Sequence, residues 1–276
     1  MADFNENEIV LGVLLNEGGS AKVYRGRNSR NGMMYAVKII DKNNTPRSTL
    51  NQIVNETRIA MSLRHPHVVR TYHSSEDDRY IKIYMELYTG DLLSFINETN
   101  DFNSLDVYIV FRQLVSAVNY LHNEKHIVHR DIKLENILFN NGDDINVVLT
   151  DFGFSMHRDP TDPLINIYSG THDYAAPEIL QHRPHRGYPA DIYALGICLF
   201  AMIAKRFPNP REDLYDTFED DDLADLLRDM LASTEDRRIN IKDIINHPWM
   251  KKMEEYTESF NDSDQDDPEY YMYRRN

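Results

Sequence analysis

A chain of 276 residues with 41% hydrophobic and 27% charged side chains can bury a full core, as one large domain or two packed lobes, and its 17 Tyr and 11 Phe exclude a disordered default. Its 30 Lys and Arg against 45 Asp and Glu give a net charge of −15, a field that repels nucleic acid and acidic membrane surfaces and attracts basic partners. The single cysteine, Cys198, excludes an intramolecular disulfide and any metal site built on several thiolates.

Cys198 lies in the apolar run from Ala194 to Ala201, where a buried, inert thiol is expected. The opening residues have neither the basic start nor the apolar stretch of a signal peptide, and no apolar run is read as a membrane span. These features are those of a protein of the cytoplasm or nucleus. The acidic runs Glu219 to Asp222 and Asp262 to Glu269 are solvated surface or docking sites.

In chain order, Ile9 to Leu15 predicts a strand, Asn16 to Ala21 a turn, Lys22 to Arg25 a resumed strand and Met33 to Ile40 a third. Ser48 to Leu63 has helical spacing at Ile53, Ile59 and Leu63 and stops before His65 and Pro66, where proline disfavours helix. Val68 to His73 and Tyr80 to Leu87 are β-prone runs joined by a turn at Glu76 to Asp78. Leu105 to His122 places Val107, Val110, Phe111, Leu114, Val118 and Leu121 on one helical face, and Tyr188 to Lys205 is apolar almost all round, as a helix buried within a lobe must be. The pattern is a strand-rich first lobe and a helical second lobe. After Met250 the chain turns polar and acidic, which predicts a tail of low order over 251–276.

The most informative segment is His129-Arg130-Asp131-Ile132-Lys133-Leu134-Glu135-Asn136. Phosphoryl transfer needs a carboxylate to accept a hydroxyl proton, a cation near the moving group and a neutral oxygen ligand for Mg²⁺; Asp131, Lys133 and Asn136 offer these in one short loop. Asp151-Phe152-Gly153 follows a strand at Asn146 to Thr150, and a carboxylate there, followed by a flexible glycine, can hold a metal against phosphates. Either motif alone is weak; in this order and spacing the pair is specific.

With these two motifs the sequence resembles the eukaryotic protein kinase family, from about Ile9 to Met250. The resemblance implies an α+β bilobal fold: a small antiparallel β-sheet lobe with one main helix, about 9–87, and a larger helical lobe, about 88–250. It implies MgATP as cosubstrate and Ser/Thr hydroxyls of proteins as acceptors. Asp131 is then the catalytic base, Asn136 and Asp151 bind Mg²⁺, and Phe152 packs with His129. Tyr35-Ala36-Val37-Lys38 is similar to the third-strand lysine motif, so Lys38 contacts the α- and β-phosphates and Glu56 pairs with it. Leu15, Gly18, Val23, Ala36, Met85, Glu86, Tyr88 and Leu138 surround the nucleotide. Asp91 is a ribose ligand, a helix N-cap, or both. Lys133 marks a Ser/Thr kinase, Thr171 bonds with Lys133 and Asp131, Glu178 pairs with Arg238, and Asp191 braces the catalytic loop.

The sequence also departs from the family. Asn16, Gly18 and Ala21 stand where three glycines usually cover the phosphates; Gly18 still admits close backbone approach, and Asn tolerates left-handed backbone. Ala60 and Thr71 replace larger apolar groups behind Phe152, which predicts gaps. The stretch between Gly196 and Arg238 is short, so a reduced helix is expected there. Arg130 is the family's usual partner for an activation-loop phosphate, yet the matching position is Ile167; packing of Ile165 and Ile167 is expected to hold the loop instead, the alternative being modification of Thr161, Tyr168 or Ser169.

The wording of several motifs is most similar to the calcium/calmodulin-dependent and AMP-activated-kinase-like group. The segment Lys251 to Phe260 is too acidic for a calmodulin target, so no calmodulin partner is expected. Asp91, Glu135 and the net charge predict substrates basic around the acceptor, bound by a monomer. The alternative is a pseudokinase acting as a scaffold.

Overall fold

The computed structural model describes residues 4–18, 21–99, 102–140, 145–158, 164–209 and 214–262. The first lobe is a five-stranded antiparallel sheet of β1 (Ile9–Glu17), β2 (Ala21–Asn28), β3 (Met34–Asp41), β4 (Thr71–Glu76) and β5 (Tyr80–Glu86), in the order β1-β2-β3-β5-β4. Helix α1 (Arg47–Ser62) connects β3 to β4. Side chains along a strand alternate between faces, so β3 divides its residues in two. Ile40 packs with Ile53 of α1 and with Ile81 and Ile83, while Tyr35 and Val37 join Tyr84 on the other face. The Phe4 ring closes that outer face, 5.5 Å from Tyr35 and 5.0 Å from both Tyr84 and His73.

The second lobe begins with β6 (Gly90–Asp91) and α2 (Leu92–Glu98). Helix α3 (Ser104–Asn119) starts at a capping box, with Asn103 accepting from the Asp106 N–H and Asp106 accepting in return. Short strands β7 (Ile127–Val128), β8 (Ile137–Phe139), β9 (Val147–Leu149) and β10 (Met156–His157) carry the loops between the lobes. Helices α4 (Pro177–Leu180), α5 (Gly187–Ala204), α6 (Leu214–Thr217), α7 (Asp221–Met230), α8 (Ile241–Ile245) and α9 (Pro248–Asp262) complete it.

Helix α5 is central because it is apolar on every side. By length and composition it could cross a membrane, contrary to the reading of its sequence, but 72% of it is buried within the domain. Its first residue is closely packed: a Cβ at Gly187 would sit 2.7 Å from Val128 Cγ1 and 3.0 Å from Ile165 Cδ1, so a larger residue would make these side chains shift.

Three expectations from the sequence are corrected. The turn expected over 16–21 is tighter, because Asn16 and Glu17 remain in β1 opposite Val23 and Lys22, held by a Lys22–Glu17 ion pair of 2.8 Å, and Ala21 already pairs with Ile40; Asn16 has no positive φ. The strand expected from Val68 starts at Thr71, because the backbone before it is bonded to β9: Val69 donates to Leu149 O and Leu149 to His67 O. The tail expected from 251 is helical as far as Asp262. Met253 packs against the core and Lys252 reaches Asp220 at 3.0 Å and Asp222 at 3.6 Å, which offsets the segment's low apolar content. Residues 263–276 lie outside the described residues. In the stretch where a reduced helix is expected, the described residues form α6, Leu214–Thr217, and residues 210–213 lie outside them.

Behind α4, Arg238 donates from Nη1 and Nη2 to both carboxylate oxygens of Glu178, at 2.7 and 3.1 Å, and to the carbonyls of Pro189 and Ala232. The Arg238 side chain is 0% exposed. Removing one member leaves a buried, uncompensated charge. Arg238→Ala is therefore expected to lower the unfolding free energy by about 3–5 kcal/mol. Arg238→Lys should recover only part, since an ammonium cannot keep the two-point pairing. Equilibrium urea denaturation checks both.

Candidate active site

The catalytic loop is built around a carboxylate it does not contain. Asp191, one turn into α5 and 1% exposed, accepts from the backbone N–H groups of His129 and Arg130, both at 2.8 Å, and lies 2.9 Å from His122 Nε2. Burial alone would raise its pKa, but the neighbouring His122 and the bonds from the loop hold it below the usual carboxylate range. These bonds fix the backbone where Arg130 takes a positive φ of 70° and so aim the next side chain, Asp131.

Asp131 is 5% exposed and held by three donors. Asn136 Nδ2 donates to its Oδ2 at 2.9 Å, Lys133 Nζ is 2.9 Å from the same oxygen, and Thr171 Oγ1 donates to Oδ1 at 3.0 Å. Lys133 also donates to Thr171 at 2.8 Å, so four side chains form one closed network. Asn136 spends its other N–H on the Asp131 carbonyl at 2.8 Å, which turns its amide oxygen away from Asp131.

The hairpin of β8 and β9 brings the two metal candidates to its open end: Asn136 directly precedes β8, Asp151 follows β9, and Thr150 N–H donates to Asn136 O at 2.9 Å. An exposed carboxylate and an amide oxygen are hard oxygen donors, so these residues fit Mg²⁺. Asp151 has a φ of 63°, and Gly153 N–H donates to its Oδ1 at 3.2 Å. Gly153 passes close to the first lobe, where a Cβ would lie 3.5 Å from Glu56 Oε2.

From that lobe, Lys38 Nζ is 2.7 Å from Glu56 Oε1. Burial lowers the lysine's affinity for its proton, but the charges of Glu56 and Asp151 more than offset this and hold its pKa above the ordinary value. Val23 stands opposite Lys38 in β2, and Ala36 opposite Met85 in β5. Met85 packs against both the β-lobe core and the main core, and Leu138 lines the latter. Leu15 is exposed in β1, and Gly18 N–H donates to Ala21 O at 2.9 Å. Tyr88 is raised by burial and by Glu86 beside it. Asp91 caps α2, accepting from Ser94 N–H and Ser94 Oγ, both at 2.9 Å. At the start of β4, Thr71 is fully buried and its hydroxyl has no hydrogen-bond partner among the described residues.

The activation segment is held differently from the reading of its sequence. Ile165 is 3% exposed and exchanges both backbone hydrogen bonds with His185, whereas Ile167 is 60% exposed. It is the Ile167 carbonyl that matters: Arg130 Nη2 donates to it at 2.8 Å, and Nη1 donates to Phe154 O at 3.2 Å. The guanidinium thus ties the two ends of the segment together. Tyr168 donates its hydroxyl to His182 O, and Thr161 lies outside the described residues. Sequence patterns gave no sign of the His122 contact to Asp191 or of the Tyr174 hydroxyl donating to Glu135 Oε2 at 3.0 Å, since neither rests on a spacing.

The sequence matches the description "Protein kinase domain" over residues 10–250. It is 34% identical to testis-specific serine/threonine-protein kinase 1 of Mus musculus over 264 residues, 88% of this chain and 72% of the relative. It is 30% identical to an Aurora kinase of Dictyostelium discoideum over 259 residues, with 88% and 65% covered. It is 34% identical to human NUAK family SNF1-like kinase 1 over 250 residues, with 86% and 37% covered. The chain thus spans from over a third to nearly three quarters of these relatives' lengths.

His129 links both motifs: its ring lies 5.0 Å from Phe152, Nε2 donates to Thr150 O at 3.0 Å, and Nδ1 accepts from Asp131 N–H at 3.3 Å. That arrangement requires the neutral ring. Burial lowers its pKa despite Asp191, Asp151 and Asp131 nearby. The unfolded chain takes up this proton near pH 6.5, so it binds more protons than the native state below that pH. The stabilisation is complete above about pH 6.5 and declines as pH falls from there towards the native value. Urea titrations from pH 7 to 5 are expected to give a shallower loss of stability for His129→Phe than for wild type, by up to about 1.4 kcal/mol per pH unit.

Proposed function

The chain belongs to the eukaryotic protein kinase family, on its serine/threonine side and among relatives that include SNF1-like kinases, and from that premise we propose that it transfers the γ-phosphate of MgATP to Ser/Thr hydroxyls in basic segments of protein substrates. The observation that carries this reading is the closed network of Asp131, Lys133, Asn136 and Thr171 beside the Lys38–Glu56 pair.

In this reading Asp131 Oδ1 accepts the proton of the substrate hydroxyl as its oxygen attacks the γ-phosphorus and the bond to the β,γ-bridging oxygen breaks. The three donors around Asp131 keep the carboxylate from rotating. Lys133 places a cation where charge moves, and Lys38, fixed by Glu56, holds the α- and β-phosphates. Asn136 and Asp151 would hold Mg²⁺, which neutralises the phosphate oxygens when bound. Val23, Ala36 and Leu138 sandwich the adenine with apolar contacts, and Met85 gates the pocket behind it. Asp91, already engaged as a helix cap, meets the ribose by sharing its carboxylate. Glu135 and the net charge of −15 draw basic peptides.

The second reading, a scaffold, draws support from the buried hydroxyl of Thr71 and the altered phosphate turn. A binding module has no physical need for the full set of charged groups. Purified protein with MgATP and degenerate peptide libraries is expected to phosphorylate Ser/Thr, with selection for Arg or Lys three residues before the acceptor that weakens with salt. Asp131→Asn and Lys38→Met should each lower turnover by at least about 10²-fold while circular dichroism shows the fold retained. Absence of turnover together with no MgATP-dependent stabilisation would establish the scaffold.

Because Arg130 bonds main-chain carbonyls and Ile165 is buried, an ordered segment without phosphate is the second part of the reading. Bacterially expressed, phosphatase-treated protein, verified as unmodified by mass spectrometry, is expected to be active, and treatment with activating kinases to change its rate less than about threefold. A large gain tied to Thr161, Tyr168 or Ser169 would refute this.

A further inference from the structure

Residues 4–6 are fastened to the outer face of the first sheet at two points, and one of them is a serine hydroxyl. Ser75 lies in β4, which ends the strand order and so has no strand on its far side. Its hydroxyl donates to Glu6 Oε2, and the Tyr84 hydroxyl donates to the same oxygen at 3.1 Å. Two residues back on the same face of β4, the His73 ring stacks with Phe4. Across the ladder, Ser75 stands opposite Lys82 of β5. The bond from Ser75 is the main cause that holds Glu6 below the usual carboxylate range; burial opposes it, and Tyr84, Lys82 and His73 add to it.

A phosphate on Ser75 would reverse the sign of this contact. The O–H donor is lost, and a group of charge near −2 stands where a carboxylate now accepts. Lys82, whose charge now favours ionised Glu6, is drawn to the phosphate instead. The three residues after Ser75 are the exposed acids Glu76, Asp77 and Asp78, of which Lys42 partly neutralises the first from 2.7 Å. Such a segment suits a protein kinase whose peptide groove is basic, and is repelled by the acidic field of this chain itself. Ser74 shares the face of Ile83, which packs towards α1, so only Ser75 faces Glu6.

We propose that Ser75 is a phosphorylation site for an acid-directed protein kinase, and that its phosphate releases residues 4–6 and uncovers the face formed by Tyr35 and Tyr84. Ser75 Oγ bonds the γ-phosphorus of ATP held by that second kinase, the bond to the β,γ-bridging oxygen breaks, ADP leaves, and the hydroxyl proton passes to the second kinase's base. Because Ser75 is half-buried against Glu6, it is reached while the segment is detached, and the phosphate then prevents its return.

The full chain, as Asp131→Asn so that its own turnover is silent, is incubated with MgATP and an acid-directed protein kinase, and phosphate is located by mass spectrometry. It is expected on Ser75 and not on Ser74. Phe4→Ala, which loosens the segment, should speed the modification about two- to tenfold, and Asp78→Lys should slow it. Hydrogen exchange is then compared between chains made with Ser75 unmodified or phosphorylated during translation. The amides of residues 7–9 are bonded to Asn5 and Glu6 in the fastened segment. They should exchange at least about tenfold faster with phosphorylated Ser75, while those of β3 keep their rates. Glu6→Lys should restore slow exchange in the phosphorylated chain and not in the unmodified one. No phosphate on Ser75, with or without Phe4→Ala, overturns the site. Slow exchange retained after phosphorylation, fast exchange shared by β3, or fast exchange that Glu6→Lys leaves unchanged overturns the release.

Discussion

A carboxylate buried in the first turns of an apolar helix costs several kcal/mol unless its oxygens are satisfied, and at Asp191 the satisfaction comes from another part of the chain. The His129 and Arg130 backbone N–H groups and the His122 ring converge on it. The helix core and the catalytic loop therefore cannot form independently. The loop backbone is ordered because the helix needs its donors, and the helix tolerates its charge because the loop provides them. From that fixed backbone follow the positive φ of Arg130, the direction of Asp131 and the reach of Lys133 and Asn136.

The junction of the two lobes depends on the same loop. His129 meets the Phe152 ring edge-on and bonds Thr150, which places Asp151 beyond β9. On the other side of the cleft, the Lys38–Glu56 pair lies near Asp151 and Gly153, and the absence of a side chain at Gly153 permits the approach. The charges of Glu56 and Asp151 together hold the Lys38 ammonium in its protonated form. Met85 touches both apolar cores behind these charges.

In the activation segment one guanidinium joins backbone groups that are distant in the chain. Arg130 has its backbone held by Asp191 and its side chain directed at the carbonyls of Phe154 and Ile167. The segment end is further fixed by burial of Ile165 against Val128 and Gly187 and by its paired bonds with His185. Gly170, with φ 108°, passes so near the Arg130 carbonyl that a Cβ would approach it to 2.7 Å, and this lets Thr171 reach Asp131. Loop, segment and helix close on one another through backbone groups more than through side-chain charge.

The amino-acid sequence by itself determined the two-lobed fold, the strands of the first sheet, the buried α5 and the residues of the catalytic loop. These are set by short-range rules: alternation in β3, all-round apolarity from Gly187 to Ala204, and a fixed spacing of charged residues in one loop. Tertiary structure decided what depends on meetings between distant segments. Met253 and Lys252 carry α9 past the point where composition suggests a tail, because their partners lie elsewhere in the lobe. Ile165 and Ile167 are the same residue type two positions apart, yet one is buried and the other exposed, since Arg130 captures the Ile167 carbonyl. Hydrophobicity tells which side chains benefit from burial; which of them find a cavity, and which backbone groups find a donor, is fixed only when the lobes have packed.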